Sequence, residues 1–107
     1  MAYTPARLYI GKPGTSEGTL YTAAGTGTII KQLVATNTGS SSSALSVSLV
    51  PTGGSAGPTN RLISQVAVAV GSVVVIDLSQ VMTAGDFLSA VQTVSGAVTL
   101  TISGVNI

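Results

Sequence analysis

The chain has 107 residues, a length that suits one domain, and 45% of them are hydrophobic whereas only 7% are charged. Four Lys and Arg residues accompany three Asp and Glu residues, and His, Cys and Trp are absent. Histidine bases, thiol nucleophiles and Cys/His metal clusters are thereby excluded, so we expect neither an enzyme nor a bound cofactor or metal.

Apolar and polar residues alternate in short segments between turn residues, a pattern typical of strands in a β-sandwich or barrel. In the first half, the predicted strands cover residues 7–12, 18–24, 28–37 and 44–51. Neither face of segment 28–37 is cleanly polar, so we expect both of its faces to be partly covered. Segment 52–60 then contains three Gly and one Pro, which predicts an exposed loop.

In the second half, the predicted strands cover residues 62–70, 73–76, 87–94 and 97–107. The continuous apolar run at 73–76 predicts a strand covered on both faces. The connection at 79–86 is expected to hold one helical turn, with Ser79 as its N-cap. In the last strand Leu100 and Ile102 point towards the core, while Thr99 and Thr101 point away from it.

About eight strands with no long helix predict an all-β fold, a single antiparallel β-sandwich of jelly-roll type. The sandwich domain is expected to cover residues 7–107. Residues 1–6 contain a Pro and a Tyr but no strand pattern, and they predict an N-terminal arm.

Nucleic acid and membrane are not expected partners. The four basic residues, Arg7, Lys12, Lys31 and Arg61, are scattered, so no run of them neutralises a phosphate backbone. The longest apolar stretch, at 66–76, is interrupted by Gly71 and is too short to span a bilayer. The N-terminus has no apolar signal segment, so we expect synthesis in the cytoplasm.

The three carboxylates are the remaining candidates for chemistry. Asp77 and Asp86 flank the 79–86 connection and could approach each other, but a glycosidase or a calcium site needs further converging groups. An Asp that follows Gly at the end of a turn more often accepts hydrogen bonds from backbone N–H groups. We therefore interpret Asp86 as a structural residue.

Aromatic residues often anchor interfaces or stack on sugars, and this chain has four. Tyr9, Tyr21 and Phe87 are expected to fill the ends of the core. Tyr3 precedes the first predicted strand and is the aromatic residue most suited to contact a partner.

The chain resembles small β-sandwich virion proteins of tailed bacteriophages, which act in capsid decoration, as cement, or as neck and tail accessories. The resemblance lies in the strand and turn order at residues 29–39, 49–62, 75–86 and 98–107. It implies a virion protein that is made in the host cytoplasm and contacts the major capsid protein or the neck and tail proteins. It marks no catalytic position.

These observations predict a capsid decoration or cement protein that binds the outer shell in many copies. The alternatives are a neck or tail accessory protein and, from another class, a carbohydrate-binding β-sandwich module. The low charge predicts a homo-oligomer, with a trimer favoured. The arm and the 52–60 loop are the expected contact regions, and the candidate partner-binding residues are Tyr3, Thr4, Pro5, Gly53, Gly54, Ser55, Gly57 and Pro58.

Overall fold

The computed structural model describes residues 4–107. Its strands are β1 Thr4–Gly11, β2 Gly18–Thr22, β3 Thr28–Asn37, β4 Ser43–Val50, β5 Arg61–Val68, β6 Val73–Met82, β7 Phe87–Gln92 and β8 Val98–Asn106. A single 3₁₀ turn, Pro58–Asn60, lies in the described loop between β4 and β5. Among residues 4–107, no helix is long and apolar enough to cross a membrane.

The strands form two antiparallel sheets of four strands each. The first sheet has the order β1-β8-β3-β6 and the second has the order β2-β7-β4-β5. The pairs β1–β8, β2–β7, β3–β6 and β4–β5 are nested, as in one long hairpin wrapped into two layers. This nested order is that of a jelly roll, so the predicted all-β sandwich is confirmed.

The core lies between the two sheets and is aliphatic. Its largest fully buried side chains include Ile30, Leu33, Leu45, Val47, Leu88, Leu100 and Ile102. In β8, Leu100 and Ile102 are 0% exposed, whereas Thr99 and Thr101 are half-buried on the opposite face. The predicted orientation of the last strand is therefore correct.

A β-bulge explains the mixed faces of β3. The register shifts between Ile30 and Gln32 on both sides of the strand. Lys31 is the extra residue against β8, whereas against β6 the extra residue lies in β6, between Asp77 and Gln80. After the bulge the alternation is displaced, and Ile30 and Leu33 are both buried while Val34 is half-buried. On the outer face of β3, Ile29 and Val34 are half-buried, and β3 is flanked by β8 and β6 in the sheet. The outer face is thus partly covered, as predicted.

Two predicted boundaries need correction. Residues 4–6 pair with residues 104–106 of β8, so this half of the predicted arm belongs to β1. The 79–86 connection contains no helical turn: Ser79 lies inside β6, whose ladder with β3 continues to Met82. The chain reverses in a tight turn instead, where Asp86 N donates to Thr83 O over 3.0 Å.

The run at 73–76 is covered on one face only. It belongs to β6, which is an edge strand of the first sheet. Val74 and Ile76 pack against the core, while Val73 and Val75 are exposed on the outer face. The prediction of cover on both faces is thus wrong for the isolated chain.

Candidate partner-binding site

One end of the sandwich carries the predicted contact regions that the structure describes. Here the turns at 23–27 and 83–86 and the loop at 51–60 come together. Ala23 N donates to Asp86 O over 2.8 Å, and Thr52 N donates to Asp86 Oδ1 over 3.1 Å. Thr4 lies at the same end, because its partner Asn106 also pairs with Thr28 beside the first turn.

The candidate residues that the structure describes are therefore gathered at this end, although they belong to different sheets. Those that are exposed are Thr4, Pro5, Gly53, Gly54, Ser55 and Pro58, and Gly57 is half-buried. Tyr3 lies outside the described residues.

The loop at 51–60 is organised by its own hydrogen bonds. The Asn60 side chain accepts from Gly57 N over 3.0 Å and donates to Ser55 O over 2.9 Å. Gly54 N donates to Pro51 O over 2.9 Å, which closes the tight turn before it. The loop therefore presents a defined backbone shape, and Asn60, which the sequence-based reasoning did not single out, maintains it.

The backbone of this loop is open to approach. A Cβ atom at Gly53 or Gly57 would meet no atom within 4 Å, and Gly53 has a φ of +80° that side-chain-bearing residues rarely adopt. A partner can thus reach the main chain at Gly53, whereas the N–H and C=O groups of Gly57 already bond to Asn60.

Asp86 fixes the loop to the neighbouring turn. Its Oδ2 accepts from Thr83 N and Thr83 Oγ1, both at 3.0 Å, and its Oδ1 accepts from the backbone and side chain of Thr52. The backbone hydrogen bond from Thr83 is the main cause that holds the pKa of Asp86 below its ordinary value, against an opposing effect of desolvation. The interpretation of Asp86 as a structural residue is confirmed.

Glu17 and Arg61 form the one ion pair among the described residues, with 2.7 Å between Oε2 and Nη1. Arg61 Nη1 also donates to Ser48 Oγ over 2.9 Å, and Ser89 Oγ donates to Glu17 Oε1 over 3.0 Å. Ser48 and Ser89 are buried on the outer side of the second sheet. This cluster joins the 12–17 connection to three strands, so its charges serve the fold.

Beside this cluster, the second sheet carries an open groove. Its lining includes Thr15, Ser46, Arg61, Gln65, Gln92 and Thr93. The lining offers hydroxyl and amide groups but no aromatic face, which carbohydrate sites commonly use for stacking.

Two of the three described aromatic side chains pack against the core, as expected. Tyr9 and Tyr21 pack against the core. The Tyr21 hydroxyl donates to Asn106 Oδ1 over 3.0 Å and lies 3.3 Å from Thr28 Oγ1. Phe87 is half-buried at the start of β7.

The sequence-based reasoning missed the outer face of the first sheet. Ile10, Val73, Val75 and Val81 are 60%, 56%, 54% and 63% exposed, and all of them lie on the two edge strands β1 and β6. The available signal was the apolar run at 73–76, whose outward valines the fold leaves uncovered. Single exposed apolar residues are ordinary, but several on one sheet face indicate a contact surface.

Comparisons with known proteins bear on the fold. No family model matches the chain, and no curated protein matches it either. Among solved structures, the chain is similar to a chain in the structure of infectious bursal disease virus Gx strain, with a TM-score of 0.53 and 15% identity. The match covers 98% of this chain and 32% of that one, so this chain spans about a third of its length. The fold of this chain is thus similar to a fold found in a solved virus structure.

Proposed function

We propose that this chain is a non-enzymatic structural protein of a virion, specifically a decoration or cement protein on the capsid of a tailed bacteriophage. The observation that supports the proposal is the jelly-roll fold of the chain, which is similar to a chain of a solved virus structure with a TM-score of 0.53. Fold alone does not assign function, so the features of the surface must support the same role.

The charged groups support a role in assembly. Glu17 and Arg61 pair with each other, and Asp86 binds backbone and hydroxyl groups of two turns. These charged side chains are thus used by the fold, and the rest of the surface is mostly neutral. A neutral surface of this kind suits packing against other protein subunits.

The contact with the shell is proposed to run through the end of the sandwich that carries Thr4, Pro5 and the 51–60 loop. The loop is held in shape by Asn60 and Asp86 and offers open backbone at Gly53. The partner in this proposal is the major capsid protein, and the protein resides in the virion. Self-association also belongs to the proposal.

The test is the copy number of the chain in purified particles, measured by quantitative mass spectrometry against the major capsid protein. A decoration protein is expected at a ratio that corresponds to on the order of hundreds of copies, since it follows the symmetry of the shell. Roughly a dozen copies or fewer would favour the neck or tail alternative instead. Absence of the chain from particles would overturn the virion role altogether.

A carbohydrate-binding module is the alternative from another class, and glycan-array binding tests it. The groove on the second sheet lacks an aromatic lining, so we expect no binding there. Specific glycan binding that is lost on Gln65→Ala would contradict the structural role for this surface.

A further inference from the structure

The outer face of the first sheet is built in rows that cross all four strands. Residues that are directly opposite in register have their side chains on the same face, so the strand pairs define each row. The row nearest the loop end is apolar and consists of Pro5, Val105, Ile29 and Val81. A second row, further along the strands, consists of Ile10, Thr101, Val34 and Val75.

The row between these two carries the charges. Its members, in strand order, are Arg7, Ser103, Gln32 and Asp77. Arg7 and Asp77 therefore lie at the same height on opposite edges of the sheet. Asp77 Oδ1 accepts a hydrogen bond from Gln32 Nε2 over 3.0 Å. Among residues 4–107, the ion pair is formed by Glu17 and Arg61, so neither Arg7 nor Asp77 takes part in it.

We propose that this face, the first sheet's outer surface, binds the same face of a second copy of this chain about a twofold axis parallel to the strands. When this axis passes between β8 and β3, β1 of one copy faces β6 of the other. Each row then faces the same row of the second copy, because rotation about this axis does not change the position along the strands. Ile10 then faces Val75 of the second copy, and Pro5 faces Val81. The dimer contains two Arg7–Asp77 contacts, because Arg7 of each copy faces Asp77 of the other.

The charges select this axis over the other twofold axis that lies in the interface. An axis perpendicular to the strands would keep each strand over itself and reverse the order of the rows. Placed along the charged row, it sets Arg7 over Arg7 and Asp77 over Asp77; placed between the charged row and the second apolar row, it sets Arg7 over Ile10 and Asp77 over Val75. Each charge would then be desolvated against a like charge or without a partner, which is strongly unfavourable. The arrangement along the strands pairs both charges and covers the apolar rows. Lys31, the exposed bulge residue of β3, lies beside the charged row and adds a donor there.

The area of the face sets the expected strength of the dimer. Four strands spaced about 4.8 Å apart and nine residues of about 3.3 Å each give a face of roughly 570 Å². Two copies would bury roughly 1,100 Å², which lies near the lower limit for specific protein interfaces. We therefore expect a reversible dimer that forms at micromolar concentrations. This twofold pair is an alternative to the trimer expected from the sequence, and the oligomeric state in solution distinguishes the two.

Sedimentation of the purified full-length chain over a range of concentrations tests the proposal. Wild type is expected to shift from monomer to dimer. Val75→Asp should abolish the shift, since it places a charge in an apolar row. Val70→Asp is the matched control, because Val70 is 52% exposed like Val75 but lies beyond the end of β5 and outside this face. Circular dichroism checks that both variants are folded.

Charge reversal gives the sharper test. Arg7→Asp and Asp77→Arg each place like charges opposite one another, so each variant alone should dimerise at least about tenfold more weakly. A mixture of the two variants restores opposite charges at both contacts, and we expect it to dimerise as the wild type does. A wild-type monomer at millimolar concentration, a trimer, equal loss in Val75→Asp and Val70→Asp, or no recovery in the mixture would overturn the twofold pairing. None of these outcomes depends on whether the chain binds a capsid.

Discussion

Asp86 accepts hydrogen bonds from Thr83 in its own turn and from Thr52, which lies 34 residues away, and so joins two turns. Because these bonds hold its pKa below the ordinary value of 3.8, the ionised carboxylate stabilises the fold above that pH. The stabilisation is lost as the pH falls through the lowered pKa. We predict that Asp86→Asn lowers the Tm at about pH 7 and that the difference from wild type narrows at about pH 2.

Thermal unfolding followed by circular dichroism measures this effect. Asp77→Asn, measured at a protein concentration below that of the proposed dimer, is the control, since the Asp77 carboxylate accepts only a side-chain bond from Gln32 on the sheet surface. A difference between wild type and Asp86→Asn that stays constant over the whole pH range would contradict the assigned role.

Leu100 and Ile102 are fully buried in β8, at the centre of the first sheet. We predict that replacing either with Ala lowers the free energy of unfolding by about 2–5 kcal/mol, because apolar contacts are lost and a cavity remains. Thr99→Ala and Thr101→Ala, on the outer face of the same strand, should cost much less. Urea denaturation measures all four variants, and equal losses on both faces would contradict the orientation of β8.

At the scale of elements, the eight strands could be predicted because alternation reports which side chains face the core. The bulge at Lys31 could not, since an extra residue in β3 is defined only by its pairing with β8. The length of β6 was missed because Asp77, Ser79 and Gln80 are polar residues typical of a turn, although here they lie on an edge strand. The link between Asp86 and Thr52 is likewise a tertiary contact that no local spacing reports.

Because β1 begins at Thr4, a deletion of residues 1–6 tests the stability of the sheet as well as the attachment to particles. Removing residues 1–6 also removes three residues that pair with β8, so we predict a loss of roughly 1–3 kcal/mol in the free energy of unfolding from the missing ladder hydrogen bonds. Removing residues 1–3 leaves β1 as the structure describes it, and we predict wild-type stability with weakened attachment to particles. Urea denaturation and particle-binding assays on both variants measure this. Wild-type attachment of the shorter truncation would exclude residues 1–3 from the contact.

At the scale of the whole molecule, only seven of 107 residues are charged, and Glu17, Arg61 and Asp86 are already engaged within the fold. If the chain attaches to a shell as proposed, we expect the attachment to depend on apolar and backbone contacts, which salt does not screen. We predict that binding to undecorated particles changes little between about 0.1 M and about 1 M NaCl, although the Debye length falls from about 10 Å to about 3 Å. Co-sedimentation with particles measures the bound fraction. If moderate salt released the protein, the contact would have to run through Arg7, Lys12 or Lys31, and the neutral end of the sandwich would not be the surface that binds.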